Sequence, residues 1–171
     1  MEELNQILAA ATRGIGDRYF RLPIDGGDPI YRERVYCYEL YHQMRNRWPP
    51  DSPFTLNGEV DKRAHPILRR LDAANTIPDF LVHVPGNMEG NHAIIEVKPN
   101  GPSLPAIRSD IQKLNRFQDA VGYSRGLYLV YGDDADADID RVAQEAERFN
   151  LQDTFELWIH SAVGAEAQRV F

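Results

Sequence analysis

The stretch PDFLVHVPGNMEGNHAIIEVKP, residues 78–99, contains the two strands around which the rest of the fold is arranged. Two apolar runs, FLVHV and HAIIEV, flank the turn-forming segment PGNMEGN, which is the pattern of a β-hairpin. Charged residues mark one end of this hairpin, because Asp79 begins the first strand while Glu96 and Lys98 close the second. Charges are costly at the edge of an apolar hairpin unless they have a partner, so we expect something to neutralise them.

The alternation of side chains along a strand predicts where these charges point. Glu96 and Lys98 share one face of their strand, and Val97 between them points to the other. A hairpin turn brings the start of one strand beside the end of the next, so Asp79 is expected within side-chain reach of the Glu96 end. Two carboxylates and one ammonium group therefore converge at one edge of the predicted sheet.

Such a cluster suits a hard divalent cation. Mg²⁺ prefers carboxylate and carbonyl oxygens and is commonly held by one or two protein carboxylates together with substrate phosphate. Asp79, Glu96 and the backbone carbonyl of Val97 are the candidate ligands for Mg²⁺ or Mn²⁺. A cation at this point would activate water and neutralise the attacked phosphate. Lys98 would orient or deprotonate that water, or stabilise charge on the phosphate; action as the base requires a lowered pKa.

Hydrophobic periodicity predicts the remaining elements. Helices are expected over about 3–11, 31–47, 106–120 and 134–150, and strands over 54–60, 79–84, 92–98, 126–132 and 154–162. Residues 61–76 are expected to be irregular, with at most one helical turn. The order α, α, β, β, β, α, β, α, β predicts an α/β fold, a mixed β-sheet flanked by helices. The chain of 171 residues is expected to form a single domain.

At the charged hairpin the chain resembles the PD-(D/E)XK nuclease superfamily, the restriction-endonuclease-like fold. The motif is PD at 78–79, followed after 16 residues by EVK at 96–98. The order of elements strengthens the resemblance, since a helix precedes the three-strand meander and a helix and a strand follow it. The family's α-β-β-β-α-β core would span about residues 31–132, with an extra helix and strand on its C-terminal side.

The resemblance implies metal-dependent hydrolysis of phosphodiester bonds, usually in DNA, leaving a 5′ phosphate. Asp79 and Glu96 would be metal ligands, and Lys98 would be catalytic. Many members also place an acid on the helix before the meander. Glu39 is the preferred candidate, because Glu33 lies near the helix start, where the helix dipole already explains an acid.

Members of the superfamily often carry a further polar residue on the helix after the third strand. Gln112 and Lys113 both qualify, and only one of them can face the sheet; Lys113 is carried forward as the catalytic candidate. Glu59, Asp61 and His65, in and after the first strand of the meander, are weaker candidates for contact with the metal or the phosphate.

The distribution of charged residues along the chain bears on which partner the protein binds. The net charge is −7, yet the whole excess of acid lies in residues 132–171, so residues 1–131 are neutral and can still carry a basic face. Nucleic acid, DNA first, is the expected partner, and a homodimer is one arrangement that the resemblance allows. The single cysteine, Cys37, and the lack of a signal-peptide pattern or of a run of about 20 apolar residues predict a cytoplasmic protein with no membrane partner.

Two other readings remain open at this point. The same fold could serve as a catalytically inactive binding or assembly module, with the acidic segment 132–171 as its partner surface. Alternatively, the chain is an unrelated α/β domain in which the charges at the hairpin edge are incidental and form a local salt bridge worth about 0–1 kcal/mol.

Overall fold

The computed structural model describes residues 2–59, 77–149, 151 and 154–171. In chain order its helices are α1 (Glu2–Arg13), α2 (Asp17–Phe20), α3 (Glu33–Asn46), α4 (Leu104–Asp119) and α5 (Ile139–Arg148). Its strands are β1 (Leu22–Ile24), β2 (Gly27–Ile30), β3 (Thr55–Gly58), β4 (Phe80–His83), β5 (Asn91–Pro99), β6 (Arg125–Tyr131), β7 (Phe155–His160) and β8 (Gln168–Arg169). None of the described helices is long and apolar enough to cross a membrane.

A six-stranded mixed sheet forms the centre of the molecule. Its strands lie in the order β3-β4-β5-β6-β7-β8, so neighbours in the chain are neighbours in the sheet. The first three strands are antiparallel, β5, β6 and β7 are parallel, and β8 returns antiparallel to β7. Each parallel step crosses over through a helix, α4 between β5 and β6 and α5 between β6 and β7. The predicted α/β fold with a mixed sheet is confirmed.

Helices cover both faces of this sheet because its central strands are apolar on both sides. On β5, Ala93, Ile95 and Val97 pack with α1 and α3, whereas Ile94, between the first two, packs with α4 and α5. The two apolar clusters thus follow the period of two along the strand. Glu96 and Lys98 share the parity of Ile94 and are carried toward α4.

Local signals set the ends of the helix that crosses over this edge. The side chain of Ser103 accepts a hydrogen bond from the Ala106 amide and caps α4, and a proline is tolerated in the first turn. The helix therefore begins at Leu104, two residues before the predicted start. Farther back in the chain, α3 ends at Asn46, one residue before the predicted end at about 47.

The segment between α1 and α3 contains more structure than the sequence predicts. No strand is predicted between residues 11 and 31, yet β2 lies there and pairs with β1 in a small hairpin. Gly26 occupies the left-handed region at φ 72° and allows the tight reversal between the two strands. A short helix, α2, precedes the hairpin and buries Phe20 in the core. The strand β8 was also not predicted.

Candidate functional site

The register of the β4–β5 hairpin places the two motif carboxylates opposite each other. Phe80 pairs with Ile95, so the next position outward on each strand sets Asp79 against Glu96. Residues directly opposite on antiparallel strands point to the same face, with Cβ atoms about 5 Å apart. The predicted convergence of these two side chains is therefore present at the end of β4.

The motif proline explains why the ladder stops at this point. One position beyond Asp79, Pro78 stands opposite Val97, and it has no N–H to donate to the Val97 carbonyl. The amide of Val97 instead donates to Oδ2 of Asp79 at 2.8 Å. Because N–H and C=O of one strand residue point to the same side, the carbonyl of Val97 also faces the Asp79 side. The hairpin thus ends with two side-chain carboxylates and one backbone carbonyl close together.

Glu96 is fully buried, and only one of its oxygens is engaged. Oε2 accepts a hydrogen bond from Nζ of Lys113 at 2.7 Å. Oε1 has no hydrogen-bond partner among the residues that the structure describes. Burial raises the pKa of Glu96 well above its usual range, and the neighbouring carboxylate of Asp79 adds to the shift. A cation beside Oε1 would offset both effects by stabilising the ionised carboxylates.

Asp79 responds to the same environment. Burial raises the pKa of its carboxyl to about 6, against the opposing effect of the hydrogen bond from the Val97 amide. The nearby charge of Glu33 raises it further. Two neighbouring carboxylates whose pKa values are both raised by burial are typical of functional sites.

Lys98 lies between acids from two helices on opposite faces of the sheet. Its Nζ is 2.8 Å from Oε2 of Glu33 on α3 and 3.6 Å from Oδ2 of Asp110 on α4. Burial alone would lower the pKa of Lys98, but the carboxylates of Asp110 and Glu33 outweigh it and raise that pKa above its ordinary value. Lys98 is therefore held as an ammonium ion, which disfavours the role of general base.

Asp110 completes the cluster and was not predicted. It is buried on α4, where its Oδ1 lies 3.6 Å from Nζ of Lys113, and burial raises its pKa. The sequence does carry a signal for it, because position 110 falls on the apolar stripe of that helix, three residues after Ile107 and four before Leu114. A charged residue on a buried stripe requires a partner.

These groups border a cleft of about 240 Å³, called here the carboxylate cleft. It is lined by Glu33, Arg34, Cys37, Glu59, Ile77, Asp79, Glu96, Lys98 and Lys113. Asp110 lies behind it, with its carboxylate oxygens 3.6 Å from the ammonium groups of Lys98 and Lys113. When ionised, the four carboxylates of Glu33, Asp79, Glu96 and Asp110 exceed the two ammonium groups by two negative charges, which is the charge of one divalent cation.

The donor set fits a loosely held hard cation and not a closed metal cage. Within residues 2–59, 77–149, 151 and 154–171, no group of three or more His, Cys, Asp or Glu side chains has the geometry to hold a metal ion. Mg²⁺ does not need such a group, since it keeps several waters and is usually bound through one or two carboxylates. The protein supplies two carboxylates, Asp79 and Glu96, together with the Val97 carbonyl. Oε1 of Glu96 is a buried acceptor that has no donor among the described residues.

The preference for Glu39 over Glu33 is not supported by the geometry and is corrected here. Glu33 lines the carboxylate cleft, while Glu39 is turned away and accepts a hydrogen bond from Nε2 of Gln43 at 2.6 Å. Glu39 lies six positions after Glu33, which places the two acids about 240° apart around the axis of α3. Glu33 is the acid of this helix that meets Lys98.

The other sequence candidates divide between the site, its rim and the part of the chain that is not described. Lys113 faces the site, whereas Gln112 is exposed to solvent. Glu59 lies at the rim of the cleft in an ion pair with Arg34 at 3.3 Å. Asp61 and His65 lie outside the described residues, as do the basic positions between 62 and 70.

Arginines that might have formed a basic face have acidic neighbours. Arg13 pairs with Glu166 at 3.6 Å and Arg21 with Asp133 at 3.0 Å, in addition to the pair at Arg34. Exposed pairs of this kind contribute little to stability, but they cancel charge locally. In the described residues these positions therefore give little electrostatic attraction for a phosphate backbone.

Comparison with known proteins does not assign a function, so a functional assignment depends on the residues of this chain. No family model matches the chain, and no curated protein or solved structure is significantly similar to it. The clustering of Asp79, Glu96 and Lys98 at the end of β4 and β5 is thus the basis for any functional conclusion.

Proposed function

We propose that this protein is a divalent-metal-dependent nuclease of the PD-(D/E)XK kind, which hydrolyses phosphodiester bonds in nucleic acid, DNA first. The observation that carries the proposal is the pair of opposed carboxylates, Asp79 and Glu96, at the point where the hairpin ladder ends. Their pKa values are raised by burial, and Oε1 of Glu96 lacks a donor among the described residues. A purely structural ion-pair cluster would gain nothing from leaving that oxygen unsatisfied.

The residues present assign distinct roles within this chemistry. Asp79, Glu96 and the backbone carbonyl of Val97 would hold Mg²⁺ or Mn²⁺. When bound, the cation supplies Lewis-acid stabilisation of the attacked phosphate and lowers the pKa of water. The Val97 amide fixes one carboxylate by donating to Oδ2 of Asp79, which leaves Oδ1 to point elsewhere.

Lys98 contributes positive charge and not proton abstraction. Its pKa is raised by Asp110 and Glu33, so it remains an ammonium ion at neutral pH. An ammonium group on the rim of the cleft binds a phosphate oxygen and stabilises the negative charge that builds up there during hydrolysis. Glu33 and Asp110 act as positioning residues that hold Lys98 between α3 and α4.

Lys113 is a positioning residue for Glu96. Its hydrogen bond to Oε2 keeps that carboxylate in one orientation and offsets part of the cost of burying it. The remaining oxygen is then directed to the cleft without loss of side-chain freedom at the moment of binding.

The single cysteine bears on the cellular compartment, and the form of the substrate bears on the quaternary structure. Cys37 is free and buried, with its thiol pKa raised by burial, which suits a reducing cytoplasm and excludes a role as a nucleophile. A homodimer is proposed only for a duplex substrate, where one subunit would cut each strand.

The test is cleavage of DNA by the purified protein with Mg²⁺ or with EDTA. Asp79→Asn keeps the shape of the ligand and an acceptor for the Val97 amide, and it is expected to abolish metal-dependent cleavage. Glu39→Gln is the matched control, since it also neutralises one acid and lies outside the carboxylate cleft. Equal cleavage by the wild type and Asp79→Asn would reject the nuclease. Nucleic-acid binding without cleavage would favour the inactive binding module.

A further inference from the structure

A second cavity adjoins the carboxylate cleft and differs from it in chemistry. This aromatic pocket has a volume of about 350 Å³. It is lined by Cys37, Tyr38, Tyr41, Asn57, Gly58, Glu59, Asp79 and Phe80. Three of these residues, Cys37, Glu59 and Asp79, also line the cleft, so the two cavities share a wall. A molecule in the pocket is therefore in contact with the carboxylate edge of the proposed nuclease site.

The pocket presents flat aromatic surfaces. The rings of Tyr41 and Phe80 are nearly parallel, with an interplanar angle of 15° and centroids 6.3 Å apart. Tyr38, on the same helix as Tyr41, is 61 % exposed at the pocket, which is unusual for a large aromatic residue. Asn57 and Glu59 add polar groups at the wall. Flat aromatic walls with a few polar groups are suited to a planar heterocycle such as a nucleobase.

The backbone where the two cavities meet has an uncommon conformation. Glu59 has φ 41°, in the left-handed region that non-glycine residues seldom occupy. Its amide donates to the Asp79 carbonyl at 3.0 Å, which holds it at the end of β3. The preceding residue, Gly58, has no side chain, and a Cβ there would lie 3.6 Å from the Phe80 ring. A side chain at position 58 would thus enter the pocket.

We infer that the aromatic pocket binds a nucleobase next to the scissile phosphodiester, and that the substrate is single-stranded nucleic acid. The inference rests on the proposed function, because the base is identified by its continuity with a phosphate bound at Asp79 and Glu96. A base inside a duplex is stacked and paired and cannot enter a side pocket without being extruded, whereas a base in a single strand is free to do so.

The charge of the protein agrees with this substrate. A protein that grips a duplex through many phosphates needs a basic surface, and in the described residues Arg13, Arg21 and Arg34 are paired with acids. Stacking of bases supplies about 1–3 kcal/mol per base. Stacking in the aromatic pocket would therefore add to the affinity that the cation at the cleft provides.

Binding is measured by fluorescence anisotropy with a labelled single-stranded oligonucleotide, in Mg²⁺ and in a Lys98→Met background that prevents cleavage. Tyr38→Ala is expected to weaken binding about 10-fold, the loss of one stacked base. Tyr19→Ala is the matched control, because Tyr19 is 46 % exposed and does not line the pocket. Gly58→Val fills the pocket on an edge strand that tolerates valine, so it is expected to weaken binding without lowering stability.

Three comparisons identify the ligand. The duplex of the same sequence is expected to bind at least 10-fold more weakly than the single strand. An oligonucleotide made abasic at every position is expected to bind no better to the wild type than to Tyr38→Ala. Free thymidine monophosphate is expected to compete poorly; if it competes as well as the oligonucleotide, the pocket takes a free nucleotide and the assignment to a polynucleotide is wrong.

The inference and the proposed function fail in different ways. Unchanged binding in both Tyr38→Ala and Gly58→Val, or equal affinity for duplex and single strand, overturns the pocket assignment even if metal-dependent cleavage is observed. Pocket-dependent binding without any metal-dependent cleavage upholds the base site and rejects the nuclease.

Discussion

The Nζ of Lys113 lies 2.7 Å from Oε2 of Glu96, and this contact ties helix α4 to the most deeply buried carboxylate of the sheet. Glu96 has no exposed surface, while the Lys113 side chain is 17 % exposed. The lysine therefore reaches from the surface into the interior, with its stem along the sheet and its charge at the carboxylate. Removing it would leave a buried carboxylate without the cation that lies beside it in the structure.

Lys113→Met is expected to destabilise the protein by about 3 kcal/mol at pH 8, the usual cost of breaking one side of a buried ion pair. The double variant with Glu96→Gln is expected to recover most of this loss, because the uncompensated charge is gone. Urea denaturation in EDTA measures both. Gln112→Met, an exposed neighbour on the same helix, is the control and should change stability by less than about 0.5 kcal/mol. Equal effects at the two positions would mean that Lys113 does not support Glu96.

Asp79→Asn is expected to stabilise the metal-free protein at neutral pH while it removes activity. In the folded state burial raises the pKa of Asp79 to about 6, above its unfolded value near 3.9. The folded state thus prefers the protonated acid, and the wild type loses stability as the pH rises from about 4 through 6. The full difference of about 2 pKa units corresponds to roughly 3 kcal/mol.

Denaturation of both proteins in EDTA across pH 4 to 8 measures this effect. The gain from Asp79→Asn is expected to be small at the lowest pH, to grow up to about pH 6 and then to level off. Glu39→Gln, whose side chain lies outside the carboxylate cleft, is expected to show no such pH-dependent gain. A gain that is independent of pH would assign the stabilisation to packing and not to the buried charge.

The arrangement at the hairpin was predictable because it depends on strand geometry alone. Side chains alternate along a strand with a fixed period of two, and a hairpin allows few registers. The positions of Asp79, Glu96 and Lys98 relative to one another follow from these two constraints once the strands are recognised. The same reasoning gave the order of strands β3 to β7, since apolar runs bounded by turn residues identify each of them.

The partners on the helices were harder to predict, because they depend on helix rotation. A shift of one residue turns a side chain by 100°, so the choice between Glu33 and Glu39 depends on which face of α3 packs on the sheet. The preference for Glu39 relied on the position of Glu33 near the helix start. The buried face of α3 is marked by Tyr36, Cys37, Leu40 and Met44. Glu33 precedes the first two of these by three and four residues, which places it on the same face. The β1–β2 hairpin was not predicted, because its strands are only 3 and 4 residues long and largely exposed.

Lys98→Met is expected to reduce cleavage at least 100-fold without weakening metal binding, because the ammonium group stabilises charge on the phosphate and is not a ligand. Lys98 is already protonated at neutral pH, since Asp110 and Glu33 raise its pKa. Ionisation of Lys98 is therefore not expected to affect the cleavage rate between about pH 7 and 9. The pH profiles of the wild type and Lys98→Met should have the same shape in this range. Steady-state cleavage at saturating Mn²⁺, together with calorimetric titration of Mn²⁺, separates the two effects. Loss of metal binding in this variant would make Lys98 a structural residue of the site.

Binding of Mn²⁺ to the wild type is expected to strengthen as the pH rises through about 6, where Asp79 loses its proton, and to strengthen further at higher pH because the pKa of Glu96 is raised as well. Metal ligands must be deprotonated, and the pKa of Asp79 is raised to about 6, so each cation bound below that pH displaces a proton. Calorimetry in two buffers with different ionisation enthalpies measures that proton release directly.

Glu96→Gln removes one ligand of the proposed pair and is expected to abolish binding, whereas Glu39→Gln, outside the carboxylate cleft, leaves it unchanged. Binding also protects the native state, by about 2.7 kcal/mol at a metal concentration of 100 Kd, and this gain should be absent in Glu96→Gln. If Mn²⁺ binds Glu96→Gln as tightly as the wild type, the cation sits elsewhere and the opposed carboxylates are not its ligands.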